Sequence, residues 1–254
     1  KRPPLPELGA GQEVNTLAHA LESMREALEG RKYAQRYVET LTHEMKSPLA
    51  AICGAAELLD ESMPLETRSR FVGNIRAESQ RADRLLNRLL ELSALEGRSR
   101  LDEVRRIDLA ELARQAIDQA RPMAELAGVQ LETRLPETPI EVAGDPFILR
   151  SAVTNLLENA IDFSPAQGTV IIELQEQDRE AWLTIDDQGP GIPVYAQDKV
   201  FERFFSLRHH KAGRKGTGLG LTLVRETATL HGGRAELENR AEGGARARLV
   251  IPCA

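Results

Sequence analysis

Cysteine, tryptophan and long apolar runs are scarce in this chain, and each scarcity closes off a class of protein. The two cysteines, Cys53 and Cys253, lie far apart and outside any metal-ligand spacing. Neither a disulfide scaffold nor a zinc module is indicated, and a reducing cytosolic context is the plain reading. Aromatic residues make up 4% of the chain, so apolar bulk comes from Leu and Ala and helices should dominate the first half. No run approaches the roughly 20 apolar residues needed to cross a bilayer, and no signal peptide opens the chain. A soluble chain is expected, and the abrupt start Lys1-Arg2-Pro3-Pro4 resembles a cut edge inside a longer protein. Acidic residues outnumber basic ones, 39 to 33, for a net charge of −6, which argues against a general nucleic-acid binder. What is present is ordinary globular material: 254 residues, 28% charged and 41% hydrophobic, enough for two modules.

The first third carries heptad seams. Leu17, Leu21, Met24 and Leu28 recur at a 4-3-4 spacing, and Arg31 and Gln35 keep the register. Val38, Thr42, Met45, Leu49, Ile52, Ala56 and Leu59 continue it, as a coiled-coil face does. Asp60-Glu61-Ser62-Met63-Pro64 breaks the pattern, since proline limits helix continuation. A second seam follows at Phe71, Ile75, Ala82, Leu85, Leu89 and Leu92, interrupted by Glu78. Two long helices in a hairpin cannot bury both stripes against each other, so a dimeric four-helix bundle is expected.

The texture changes after Glu96-Gly97-Arg98-Ser99-Arg100, which marks a domain boundary and a mobile linker over 97–106. Beyond it the patterning predicts strands at 107–109, 129–135, 140–143, 169–174, 182–186, 234–239 and 246–251. Helices are predicted over 109–126, over 145–163 with Asp145 as cap and Pro146 first, and over about 218–231. The elements interleave without a regular βαβ beat, so an α+β fold is expected rather than a doubly wound sheet.

Four clusters can carry chemistry. His43 falls on the outward face of the first helix beside Glu44, which can accept a ring proton, with Ser47 one turn away to orient a water. A lone surface histidine would look the same, but Pro48 within a helix costs about 3 kcal/mol and signals a deliberate local bend. Asn155 and Asn159 share one face of a helix that is otherwise apolar; amide oxygens suit Mg²⁺ held mainly by water and phosphate, or simply core hydrogen bonding. Asp187, at the end of a strand and before Gly189-Pro190-Gly191-Ile192, is an acceptor that could take the adenine amino group and reject guanine. The Gly216-Thr217-Gly218-Leu219-Gly220 run offers backbone N–H groups and a helix start to phosphates. It matches neither a Walker loop nor a dinucleotide fingerprint. The basic segment Ser206 to Lys215 suits a mobile lid, and its His209-His210 pair has no further metal ligand nearby.

Taken together, these residues resemble the sensor histidine kinase family. His43-Glu44-Met45-Lys46-Ser47-Pro48-Leu49 is similar to its H box and Asn155 to Ala160 to its N box. Asp187-x-Gly189-x-Gly191 is similar to its G1 box, Phe201 to Phe205 to its F box, and Gly216 to Leu221 to its G2 box. All five stand in the family's order over about residues 36–254, and residues 11–30 resemble the last helix of a HAMP relay.

The resemblance implies three parts: the end of a HAMP-like relay over 1–35, a dimerisation and phosphotransfer domain over 36–100, and an α/β-sandwich ATP-binding domain of the GHKL type over 101–254. It implies that His43 accepts the γ-phosphoryl group of ATP, that Glu44 is its base and that Ser47 serves in dephosphorylation of the regulator. Asn159 would bind Mg²⁺, with Asn155 near the phosphates. Phe163, Asp187, Gly189, Gly191 and Ile192 would hold the adenosine end. Phe201, Arg203, Arg214, Lys215, Gly216, Thr217, Gly218, Leu219 and Gly220 would line the phosphate side. It further implies a homodimer through 36–96, a response-regulator receiver domain as partner, and an inner-membrane location for the full-length protein with this part on the cytoplasmic side.

Three positions depart from the family pattern. Asp162 stands where a phosphate-contacting Lys is common, so a cation must come from elsewhere, with Arg203, Arg208, Arg214 and Lys215 the candidates. Phe163 replaces a Tyr, and Ser206 an Arg. A related ATPase that hydrolyses ATP onto water would lack the helical hairpin with His43 and Pro48. A nucleotide-binding scaffold without transfer is supported only by Asp162 and Ser206.

Overall fold

The computed structural model describes residues 41–42, 44–60, 62–96, 101, 104–207 and 217–254. By internal contacts the chain divides between Ala82 and Asp83, inside a long helix.

In the first unit, helix α1 runs over 44–57 and carries Pro48 within it. Pro48 and Ala55 are buried, whereas Leu49 and Ala56 of the expected seam are exposed. The predicted break falls where Asp60 and Pro64 stand. Asp60 Oδ1 accepts from the Ser62 N–H at 2.9 Å, a side-chain turn that competes with helix. Helix α2 (Leu65–Glu96, 32 residues) begins just after Pro64.

The second unit holds the last turns of α2 and a two-layer sandwich. Strand β1 (Arg105–Asp108) leads into α3 (Leu109–Ala127), whose cap is Asp108, accepting from Ala110 N–H at 2.9 Å. Gly128 ends that helix at φ 68°, the left-handed conformation glycine adopts without penalty. Strands β2 (Gln130–Arg134) and β3 (Glu141–Gly144) precede α4 (Pro146–Phe163). Asp145 caps α4 as predicted, its Oδ1 2.9 Å from Phe147 N. Then come β4 (Thr169–Gln177), β5 (Glu180–Asp186), a short 3-10 turn at Val194–Ala196, α5 (Gly220–Leu230), β6 (Arg234–Asn239) and β7 (Ala245–Pro252).

Five strands form one mixed sheet in the order β2-β4-β5-β7-β6, with only β2 and β4 parallel, while β1 and β3 pair antiparallel beside it. Helices α3, α4 and α5 pack on one another and on one face of the large sheet. Leu149, Leu157 and Ile161 of α4 meet Ile172, Leu183, Ile185 and Leu249 of the sheet in one core, all essentially fully buried. Full burial of such a side chain stabilises the fold by about 1.5–3 kcal/mol, so α4 is fixed by its apolar stripe. Its other side is free to carry Asn159 and Asp162.

Candidate active site

The cleft of the second unit lies between α4, the end of β5 and the start of α5, and encloses about 1050 Å³, part of it open to solvent. Asn159, Phe163, Asp187, Gly191, Ile192, Thr217, Gly218 and Gly220 of the expected site all line it.

Asp187 follows the last residue of β5 and is 8% exposed. Its Oδ1 accepts from Gly189 N–H at 2.7 Å and from Ala245 N–H at 3.0 Å. Oδ2 takes neither bond and remains an acceptor for a ligand. Burial pushes its pKa above the usual carboxylate value, against the two backbone donors and the Arg240 guanidinium, while Asp186 adds to the rise. Arg240 is the brace: its Nη1 donates to Asp187 O at 2.8 Å, and its Nε lies 3.5 Å from Asp186 Oδ2. Arg246 binds Asp186 at two points, 2.7 and 2.6 Å, the fork geometry that fixes a carboxylate. Two adjacent acids therefore divide their work. Asp186 is neutralised on the sheet, and Asp187 is turned to the cleft.

The far end is made by glycines. Gly218 sits at φ 67°, and a Cβ there would lie 2.4 Å from the Phe204 carbonyl carbon. Phe204 N–H donates to Gly218 O at 2.8 Å, so the turn lies tightly on the 201–205 block. At Gly220 a Cβ would stand 2.8 Å from Asn155 Oδ1, which lets α5 start against α4. Among the described residues no side chain caps α5. Its first N–H groups are thus available to an anion, aided by the helix dipole.

Several expected residues stand behind the cleft rather than on it. Asn155 is 5% exposed and is not among the lining residues. Its Nδ2 donates to Ser151 O at 2.8 Å, and its buried Oδ1 has no hydrogen-bond partner among the described residues. Leu219 is fully buried, and Phe201 packs in a small apolar cluster with Ile192, Ala196 and Val200. Gly189, Phe201, Arg203 and Leu219 are not among the cleft-lining residues. His43, Arg208, Arg214, Lys215 and Gly216 lie outside the described residues, as does the His209-His210 pair. In the first unit, Ser47 is exposed on α1, and Glu44 Oε2 lies 4.0 Å from Arg81 Nη2.

The residues present fit a magnesium nucleotide. Glycines whose Cβ positions are occupied by neighbours make room for close backbone approach, and Asn159 offers a hard amide oxygen at the cleft wall. Among the described residues no group of three His, Cys, Asp or Glu could hold a metal ion unaided. Two residues that shape the cleft have no local sequence signal: Arg240, which braces Asp187 from 53 residues away, and Arg88, which lines the cleft from α2.

Comparison with known proteins defines the class. The profile described as the His Kinase A (phospho-acceptor) domain matches residues 34–98. The one described as the histidine kinase-, DNA gyrase B- and HSP90-like ATPase matches residues 144–254. A solved mycobacterial sensor histidine kinase, MprB, is 33% identical with a TM-score of 0.52 over 98% of its chain and 59% of this one. The chain belongs to the sensor histidine kinase family.

Among individual proteins, it is 43% identical over 248 residues to the sensor protein CreC of Escherichia coli K12, covering 98% of this chain and 51% of CreC. It therefore spans about half the length of that relative. The full-length structure of ShkA in complex with AMPPNP is 25% identical with a TM-score of 0.60, over 86% of this chain and 46% of ShkA.

Proposed function

We propose that this chain is the kinase portion of a two-component sensor protein, which phosphorylates itself on His43 from ATP and passes the phosphoryl group to an aspartate of a response-regulator receiver domain. The observation that carries the reading is the buried Asp187 carboxylate at one end of a cleft whose other end is the uncapped start of α5. An acceptor at one end and N–H donors at the other suit an adenine with a phosphate tail. The AMPPNP in ShkA lends support from a relative.

In this reading Asp187 Oδ2 accepts from the adenine amino group, Phe163 packs beside the base, and Thr217, Gly218 and Gly220 meet the phosphates. Asn159 holds Mg²⁺, which when bound supplies charge neutralisation on the phosphates. An imidazole nitrogen of His43 attacks the γ-phosphorus, the bond to the β-phosphate oxygen breaks, ADP leaves, and Glu44 takes the ring proton. Ser47 meets the regulator and orients a water during its dephosphorylation, a role supported by its exposure on α1.

The assembly is a homodimer through 36–96. Leu49, Leu58, Leu65, Val72, Leu86 and Leu90 are 45–80% exposed in a single chain, a cost a four-helix bundle would remove. The relay, phosphotransfer and ATP-binding parts follow the divisions 1–35, 36–100 and 101–254. Among the described residues no helix is long and apolar enough to cross a membrane. In this reading the full-length protein sits in the inner membrane, with this part on the cytoplasmic side. The test is intact mass after incubation with ATP and Mg²⁺, followed by peptide mapping. One phosphoryl group on the peptide carrying His43 supports the reading, and phosphate on another residue contradicts it.

A further inference from the structure

Among the described residues that line the cleft, one is basic: Arg88, from the last turns of α2. The others that carry charge are Glu158, Asp162 and Asp187, a poor setting for a polyphosphate. Arg88 Nη2 pairs with Glu158 Oε2, and its Nη1 donates to Thr217 Oγ1 at 3.2 Å. The guanidinium thus joins the residue beside Asn159 to the first described residue of the glycine turn. Its side chain is 23% exposed, screened from water but reachable from the cleft.

Its position is fixed by more than that pair. Three residues on, Glu91 Oε2 accepts from Ser151 Oγ at 2.9 Å. A turn further, Leu95 packs with Ile148 of α4 and Leu223 of α5. Residues 88, 91 and 95 form one face of α2, and 158, 151 and 148 form one face of α4 running the opposite way. The end of α2 is therefore seated along α4, and the seating delivers a guanidinium to the rim of the cleft.

We propose that Arg88 is a phosphate-binding cation of this site, supplying from α2 positive charge that Asp162 does not provide from α4. The inference rests on the nucleotide reading of the cleft. A guanidinium has five donors in a planar fork, so it can keep Glu158 and still donate to phosphate oxygens. Nucleotide phosphates would then bear directly on the end of the dimerisation helix.

The test is equilibrium binding of ATP, ADP and AMP with Mg²⁺ to the wild-type chain, Arg88→Gln and Arg88→Lys, each checked for folding by thermal melt. One charge-assisted contact accounts for about a tenfold or greater change in affinity. Arg88→Gln is expected to weaken ATP by that factor, ADP less and AMP not at all, and Arg88→Lys to keep most of the ATP affinity. Equal weakening of all three nucleotides, or none, overturns the proposal. Tighter ATP binding by Arg88→Gln also overturns it, and would make the residue a plug over the cleft. A wild-type chain that binds none of the three removes the nucleotide reading and this inference together; binding with no phosphate-dependent loss removes this inference alone.

Discussion

His231 Nε2 accepts a hydrogen bond from the backbone N–H of Asp145 at 3.1 Å, while Nδ1 lies 2.7 Å from Thr227 O. The ring is thus a neutral tautomer with Nδ1–H donating, and it ties the residue after α5 to the cap of α4, the helix that carries Asn159. Burial holds its pKa below the ordinary 6.5, against the Thr227 carbonyl and Asp145, which act to raise it.

A pH dependence follows from that relationship. Below pH 6.5 the unfolded chain takes up a proton that the folded chain refuses, so stability falls with pH from there until the folded ring itself protonates. The full contribution is present above pH 6.5. Urea midpoints of the wild-type chain should drop between pH 7.5 and pH 5.5, and the drop should be smaller in His231→Gln. Equal slopes in the two would contradict the assignment.

Asp187→Asn tests base recognition. The amide oxygen can still accept from Gly189 and Ala245, which leaves an NH₂ where Oδ2 stood. That donor meets the adenine amino group unfavourably but can serve the guanine carbonyl. ATP affinity should fall by at least about tenfold through the lost and mismatched hydrogen bond, and the preference for ATP over GTP should shrink or reverse. Competition binding with the two nucleotides measures both effects.

Gly218→Ala tests the turn. At φ 67°, with a Cβ 2.4 Å from the Phe204 backbone, alanine forces the turn off the 201–205 block. A non-glycine residue held in such a conformation costs about 1–3 kcal/mol. ATP binding should weaken strongly, while the helix-on-sheet core, which Gly218 does not join, keeps its far-ultraviolet dichroism.

Most of the architecture was legible because each element has a strong local cause. Asp108 and Asp145 cap α3 and α4, and Gly128 and Gly232 stand at positive φ after α3 and α5. The stripe Leu149, Leu157, Ile161 has a helical period, and the mixed sheet matches the α+β expectation. The β4–β5 hairpin is longer than the strands at 169–174 and 182–186 that the patterning predicts. Gln175, Glu176 and Gln177 are polar and exposed, and the turn at Asp178 and Arg179, with φ of 52° and 62°, contains no glycine to announce it. Pro122 lies inside α3 without ending it.

The site was legible where the residues are neighbours in sequence, as along α4 and around Gly218. It was not where the chain closes on itself. Arg88 meets Glu158 across 70 residues and Arg240 meets Asp187 across 53, and no spacing rule announces either. The family resemblance implies a place near the phosphates for Asn155, which is 5% exposed and is not among the residues lining the cleft. In the structure the close approach of Gly220 covers it.

Transfer of a phosphoryl group from ATP to His43 is read most directly with γ-labelled ATP and Mg²⁺ on the wild-type chain, His43→Gln and Asn159→Ala. An acid-labile, alkali-stable label is expected on the wild-type chain and none on either variant. Labelled free phosphate released with no label retained on protein would contradict that transfer and make the chain an ATPase.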